Sequence, residues 1–226
     1  MLPEMTQTNP AQPNENSSSS GITPRRSIIW CGCQAFARII TTLMFDLKVY
    51  GLHHIPTHGG ALLVANHESY LDPVVVAVRV RRPVSFLARS GLFDNPAFGW
   101  LIRSLHAFPV RQGEGDIGAV KETIRRLKEG HVLNIYPEGS RTQTGELGPI
   151  EPGIALMVRR AGVPVVPVVI SGSFTAWPRG RKIFHPAPIR VLYGPPMELN
   201  HLKPAQITAR IDQTFRQLLA ELRAKS

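Results

Sequence analysis

The sequence predicts an α/β domain with a largely parallel sheet flanked by helices, and three observations carry that reading. From residue 48 onward, short runs rich in β-branched and aliphatic residues alternate with longer stretches of helical periodicity, the order expected when each strand returns through a helix to a parallel neighbour. Asp72-Pro73 and Asn95-Pro96 each set a capping residue before a proline, whose fixed φ and missing N–H suit the first helical position. With 226 residues, 43% of them hydrophobic, the chain has material for one substantial core and little room for a second.

In chain order, strands are expected at residues 48–52, 61–65, 84–88, 107–110, 132–136, 165–170 and 189–193. Helices are expected between them at 73–82, 96–105, 117–129 and 153–161, and at the end over 208–224. Residues 61–65, Ala-Leu-Leu-Val-Ala, have no polar alternation and read as a buried strand. No internal repeat is visible.

Ahead of this domain lie two segments of different character. Residues 1–24, with several prolines and the run Ser17-Ser18-Ser19-Ser20, lack the apolar surface that would offset ordering entropy and are expected to be disordered. They also lack the basic start and short apolar core of a secretory signal, so no export is inferred. Residues 25–47 are long and apolar enough to suggest a span. Arg38 falls mid-segment, however, where a charge costs about 2.5–3.5 kcal/mol on insertion scales. Wound at about 100° per residue, Ser27, Cys31, Gln34, Arg38, Thr41 and Thr42 form one stripe, opposite Ile28, Ile29, Cys33, Phe36, Ile39, Ile40, Leu43, Met44 and Leu47. That pattern predicts an amphipathic membrane-binding helix lying in the interface; a helix packed on its own domain and a true span are the alternatives. The division is therefore a tail over 1–24, a membrane-associating segment over 25–47 and a catalytic domain over 48–226.

Lys and Arg number 26 against 16 Asp and Glu, for a net charge of +10. Such a field favours anionic partners: nucleic acid, an anionic membrane surface or phosphate-bearing substrates. Nucleic acid is the weakest of these, since the basic residues are dispersed and no finger spacing or aromatic RNA-binding strand occurs. Cys31 and Cys33 suit neither a disulfide framework nor a zinc site, which is consistent with a reducing compartment.

The chemistry-bearing residues collect after strand ends, where open α/β sheets place their ligands. His67 follows the strand at 61–65, and Asp72 begins a helix five residues later. A loop followed by a helix start folds the two together, and such a pair suits proton abstraction: the imidazole takes the proton while the carboxylate fixes its tautomer. On spacing alone, a polar loop histidine and a simple helix cap account for the pair at least as well. Beyond the strand at 132–136 come Glu138, Gly139 and Arg141, and beyond 107–110 comes Arg111. Arginine is shaped for phosphate, although each arginine taken singly reads first as a solvated surface residue.

Four segments together carry a resemblance. Asn66-His67-Glu68-Ser69-Tyr70-Leu71-Asp72, Phe108-Pro109-Val110-Arg111, Tyr136-Pro137-Glu138-Gly139-Ser140-Arg141-Thr142 and Val163-Pro164-Val165-Val166-Pro167-Val168 resemble, in order and spacing, the four motifs of the glycerophospholipid acyltransferase family. The archetype of that family is 1-acyl-glycerol-3-phosphate (lysophosphatidate) acyltransferase. The resemblance implies that His67 is the general base and Asp72 its partner. It also implies that Arg111, Glu138, Gly139 and Arg141 bind the glycerol-phosphate of the acceptor, and that the acyl donor is a thioester of CoA or acyl carrier protein. It implies no metal and no cofactor beyond that co-substrate, with the site at the cytoplasmic face of a membrane. Tyr136, Ser140 and Thr142 stand where Phe, Thr and Ser are commoner, Arg89 stands where many relatives carry Lys, and the second motif is the loosest match. Within the family, another lysolipid or an amino-acid lipid is the alternative acceptor; outside catalysis, the alternative is a membrane adaptor that retains the fold.

Three other patterns lead elsewhere and are set aside. Gly113-Glu114-Gly115-Asp116-Ile117-Gly118 fits a dinucleotide fingerprint, but Arg111 and Gln112 separate it from a strand broken by Pro109, and Asp116 serves more simply as a helix cap. His58-Gly59-Gly60 is not accompanied by a Gly-x-Ser-x-Gly elbow. His53, His54 and His58 lie in a Pro/Gly connection and read as a solvated turn.

Overall fold

The structure, a computed structural model, describes residues 26–110 and 116–225. The expected tail over 1–24, the candidate Arg111 and the glycines at 113 and 115 lie outside the described residues.

Seven strands form one sheet: β1 Lys48–Tyr50, β2 Ala61–Ala65, β3 Val84–Arg89, β4 Ala107–Val110, β5 Val132–Ile135, β6 Val165–Ser171 and β7 Arg190–Tyr193, ordered β1-β7-β6-β2-β5-β3-β4. Every neighbouring pair is parallel except β6 with β7. All five residues of β2 are buried, as a central strand covered on both faces requires.

The helices are α1 Ile28–Phe45, α2 Asp72–Ala77, α3 Pro96–Ser104, α4 Ile117–Lys128, α5 Gly153–Ala161, α6 Ser173–Ala176 and α7 Pro204–Ala224. They cover the sheet as two layers. Leu63, Val166 and Val191 pack on one face with Phe45 of α1 and Val75 and Val76 of α2. On the other face, Leu62, Val64 and Leu133 meet Leu127 of α4, Ile154 and Val158 of α5, and Ile207, Ile211 and Phe215 of α7. The period-2 alternation of the strands is what divides the core into these two halves.

Most element ends differ from the sequence reading by a residue or two, and three differences at helix ends have a visible cause. The helix expected over 73–82 stops at Ala77, because side chains of α1 take the carbonyls beyond it: Gln34 Nε2 donates to Ala77 O at 3.2 Å and to Val80 O at 2.8 Å. Pro83 also turns the preceding residue away from helix. The last helix begins at Pro204 rather than 208, where Gln206 Oε1 accepts the Lys203 N–H at 3.0 Å and secures the extra turn. Asn95 caps α3 as expected, accepting from Phe98 N at 3.0 Å. Asp72 does not cap α2: it is the first helical residue, and its side chain turns back over the preceding loop.

The orientation of α1 is opposite to that of an ordinary surface helix. Its polar stripe faces the protein, with Gln34 on the end of α2 and Thr42 accepting from Arg79 Nη2 at 2.8 Å. Most of its apolar stripe faces outward, leaving Phe36 68% and Leu43 77% exposed with Ile28 and Ile39 beside them, whereas Met44 packs partly on the core and Leu47 is buried. Asp46, left-handed at φ 38°, ends the helix, and Arg190 Nη2 ties its carboxylate to β7 at 2.7 Å.

Candidate active site

Strands β2, β5 and β6 are adjacent and parallel, so their carboxyl ends share one edge. Three loops leave it: His67 to Leu71 after β2, Tyr136 to Thr142 after β5, and Gly172-Ser173 after β6.

Asn66 fixes the first exit. Its side chain imitates a peptide unit, accepting Ile170 N–H at 2.7 Å and donating to Ile170 O at 3.0 Å, and so extends the β2–β6 ladder by one residue. His67 then projects from a defined backbone. Its N–H donates to Glu138 Oε1 at 2.8 Å, and its carbonyl accepts from Thr142 N at 2.8 Å. Its ring stacks on Tyr136, with centroids 3.9 Å apart and planes 14° from parallel.

The ring Nδ1 lies 2.8 Å from Asp72 Oδ2, and Asp72 is fully buried. That oxygen also accepts Glu68 N–H at 2.6 Å and Ser69 N–H at 2.7 Å, while Oδ1 accepts the Ser173 hydroxyl at 2.6 Å. Two backbone N–H groups already occupy Oδ2, so the tautomer that fits carries its proton on Nδ1 as a donor to Asp72 and leaves the free lone pair on Nε2. The His67 side chain keeps 18% of its surface exposed, whereas Asp72 behind it has none.

Around this pair, the structure gathers the other described site residues. Gly139, at φ 67°, makes the turn that brings the β5 loop back. The Arg141 guanidinium lies 3.5 Å from the centre of the Tyr70 ring, and its Nη1 has no hydrogen-bond partner among the described residues. Glu138 braces two loops. Both of its oxygens are taken by backbone, Oε1 by His67 N and Oε2 by Gly148 N, each at 2.8 Å, and burial holds its carboxyl above the ordinary value. Three contributors were not singled out from sequence: Tyr136 as the stacking surface, and Ser173 and Glu68 behind Asp72. Among the described residues, no three His, Cys, Asp or Glu side chains gather as metal ligands.

Gly172 sets Ser173 in place. Its φ is 93°, and a Cβ there would meet Pro188 O at 2.1 Å. Gly172→Ala is therefore expected to destabilise by about 2–4 kcal/mol, combining a left-handed backbone with a backbone clash. Urea unfolding would read the loss.

Comparisons with known proteins bear on the family and the fold. Residues 46–171, more than half of the chain and the loops after β2 and β5, match the family described as Acyltransferase. The chain belongs to that family. The acyltransferase is 25% identical over 197 residues to a Bacillus subtilis 1-acyl-sn-glycerol-3-phosphate acyltransferase, covering 85% of this chain and 96% of that one. A Streptococcus pneumoniae protein of the same description is 31% identical over 144 residues, 63% of this chain and 52% of its own. The crystal structure of the 1-acyl-sn-glycerophosphate (LPA) acyltransferase PlsC from Thermotoga maritima superposes with a TM-score of 0.75 at 26% identity, over 86% of this chain and 80% of that chain. As a member of this family, the acyltransferase has the α/β architecture read from its sequence. The dinucleotide alternative has a simpler explanation at its described end, where Asp116 caps α4 by accepting Ala119 N–H at 3.0 Å.

Proposed function

We propose that the protein transfers a fatty acyl group from an acyl thioester of CoA or acyl carrier protein to the free hydroxyl of 1-acyl-glycerol-3-phosphate, giving phosphatidate. The observation that carries this reading is the His67–Asp72 pair, 2.8 Å apart, with Nε2 as the unoccupied base at the carboxyl edge of the sheet. Nε2 takes the acceptor O–H proton as that oxygen attacks the thioester carbonyl. A tetrahedral intermediate forms, the C–S bond breaks, and the leaving thiolate regains the proton from the His67 imidazolium. Asp72 stabilises the imidazolium in between. The cycle needs neither an acyl-enzyme nor a metal.

The choice of acceptor is supported by the names of the relatives and by Arg141, whose unpartnered Nη1 and fixed plane against Tyr70 suit one edge of a phosphate. Arg111 is assigned to the same phosphate, with Gly139 letting the loop approach it. The test is a matrix of donors against acceptors with the purified full chain. Phosphatidate formed from lysophosphatidate in preference to uncharged or zwitterionic lysolipids supports the reading; turnover confined to another acceptor overturns it.

The acceptor is a membrane lipid, and the outward apolar face of α1 suits an anionic membrane surface at the cytoplasmic side. Among the described residues, α1 is the one helix long and apolar enough to cross a membrane, but its inward polar stripe favours lying in the interface. Phe36→Asp with Leu43→Asp is expected to weaken binding to phosphatidylglycerol-containing vesicles at least about tenfold, since each apolar side chain buried contributes about 1.5–3 kcal/mol. The melting temperature should hold, because neither residue packs in the core. Unchanged sedimentation with vesicles would remove α1 from the membrane contact.

A further inference from the structure

Behind the His67–Asp72 pair lies a second carboxyl that the transfer mechanism does not use. Ser173 Oγ is 2.6 Å from Asp72 Oδ1 and 3.2 Å from Glu68 Oε2. Asp72 and Ser173 are wholly buried, and Glu68 is 6% exposed. A serine hydroxyl has one hydrogen and can donate to one acceptor. With both carboxyls ionised, one of these contacts would hold two oxygens together without a hydrogen, between two buried negative charges.

Counting hydrogens decides which carboxyl carries the missing one. Asp72 already accepts from the His67 ring, from Glu68 N and from Ser69 N on Oδ2, and the shorter Ser173 contact falls on its Oδ1. Glu68 accepts Asn66 Nδ2–H at 3.2 Å on Oε1 and Phe174 N–H at 3.1 Å on Oε2, which leaves room for a proton directed at Ser173. We infer that Glu68 is held protonated and donates to Ser173, which in turn donates to Asp72, so that Glu68 and Ser173 are positioning residues that fix the carboxylate behind His67. The donors converge on Asp72, Glu68 through Ser173 on Oδ1 and the His67 ring on Oδ2, and the successive hydrogen bonds from Glu68 to Ser173 to Asp72 strengthen one another.

The surroundings agree with that protonation state. Burial, and next the charge of Asp72, pushes the Glu68 carboxyl up to about 8. The groups bearing on it are Asp72 of α2, Ser173 and Phe174 of α6, and Arg223 of α7, whose charge opposes the shift. Once Glu68 ionises, Ser173 has two anions competing for its hydrogen and Asp72 loses its anchor. The expected consequence is a decline in kcat on the alkaline side, near pH 8, that belongs to Glu68 and not to His67.

The inference rests on His67 being the base, and the experiment separates the two. In the full chain, Ser173→Ala is expected to lower kcat about tenfold to a hundredfold, the range for losing a hydrogen bond to a charged group. KM for both substrates should stay within about twofold, and Ser173→Thr, which keeps the hydroxyl, should recover most of the rate. Glu68→Gln keeps a donor toward Ser173 and cannot ionise, so its kcat profile should lose the alkaline bend. Independently of turnover, infrared difference spectra at about pH 7 should show a protonated-carboxyl band in the wild type that Glu68→Gln removes. Unchanged kcat in Ser173→Ala, no recovery in Ser173→Thr, or an alkaline bend that survives Glu68→Gln would each overturn the relay. Should His67→Ala keep full activity, the base reading falls, and the infrared band still reports whether Glu68 holds its proton.

Discussion

His67→Ala is expected to lower kcat for acyl transfer by about two to four orders of magnitude, the range over which a positioned general base acts. The size of the loss follows from the geometry. A lipid hydroxyl is a weak nucleophile until its proton is taken, and in the proposed reaction Nε2 of His67, on a side chain that stays partly exposed at the sheet edge, takes it. The rest of the site should survive the change, because Asn66, Glu138 and Thr142 fix the loop through side chains and backbone of their own and not through the imidazole. Vesicle binding through α1 should be unaltered, and KM for the acceptor should change little. Measuring turnover, KM and sedimentation on one preparation checks all three. Full activity in the variant would place the base elsewhere, whereas loss of vesicle binding together with activity would point to unfolding.

The sheet was legible in the sequence because each strand is a short, strongly apolar run bounded by Gly, Pro or charged residues, and β2, with no polar position at all, announces itself as central. His67, Asp72 and Arg141 were legible for a related reason: residues that follow strand ends converge when the strands are parallel. The details that escaped depend on partners far along the chain. α2 is cut short by Gln34, more than forty residues upstream, and no local propensity records that. Ser173 meets Asp72 across a separation of 101 residues, inside a four-residue helix too short to leave a periodic signal. Asp72 precedes a proline as a helix cap would, yet two backbone N–H groups and an imidazole on its near side hold its carboxylate and turn it away from the helix. The apolar stripe of α1 could be read, but the fold alone shows that it points outward.

The resemblance makes Glu138 an acceptor ligand and the fold makes it a brace between loops, and its removal separates the two roles. As an acceptor ligand it would touch substrate; in the structure it clasps His67 N and Gly148 N, each at 2.8 Å, and closes the β5 loop against the β2 loop. Glu138→Ala strands two N–H donors that are only partly buried, at about 1–2 kcal/mol each, the lower part of the range for an unsatisfied donor, so a loss of about 2–4 kcal/mol is expected. At this chain length, that lowers the melting temperature by roughly 4–16 °C. Because His67 hangs from one of those amides, kcat should fall with stability while KM for the acceptor moves little. Glu138→Gln should recover only part, since its amide offers one acceptor and turns a donor toward the other N–H. The pH dependence has a definite sign. Burial raises the folded-state carboxyl above its ordinary value, so the folded state binds the extra proton. The Glu138 contribution to stability is therefore greatest below the unfolded value and declines as pH rises through the raised one, the reverse of a salt-bridged acid. Denaturant unfolding across that window, compared with Glu138→Gln, measures the difference. A variant with wild-type stability and a raised acceptor KM would return Glu138 to the substrate.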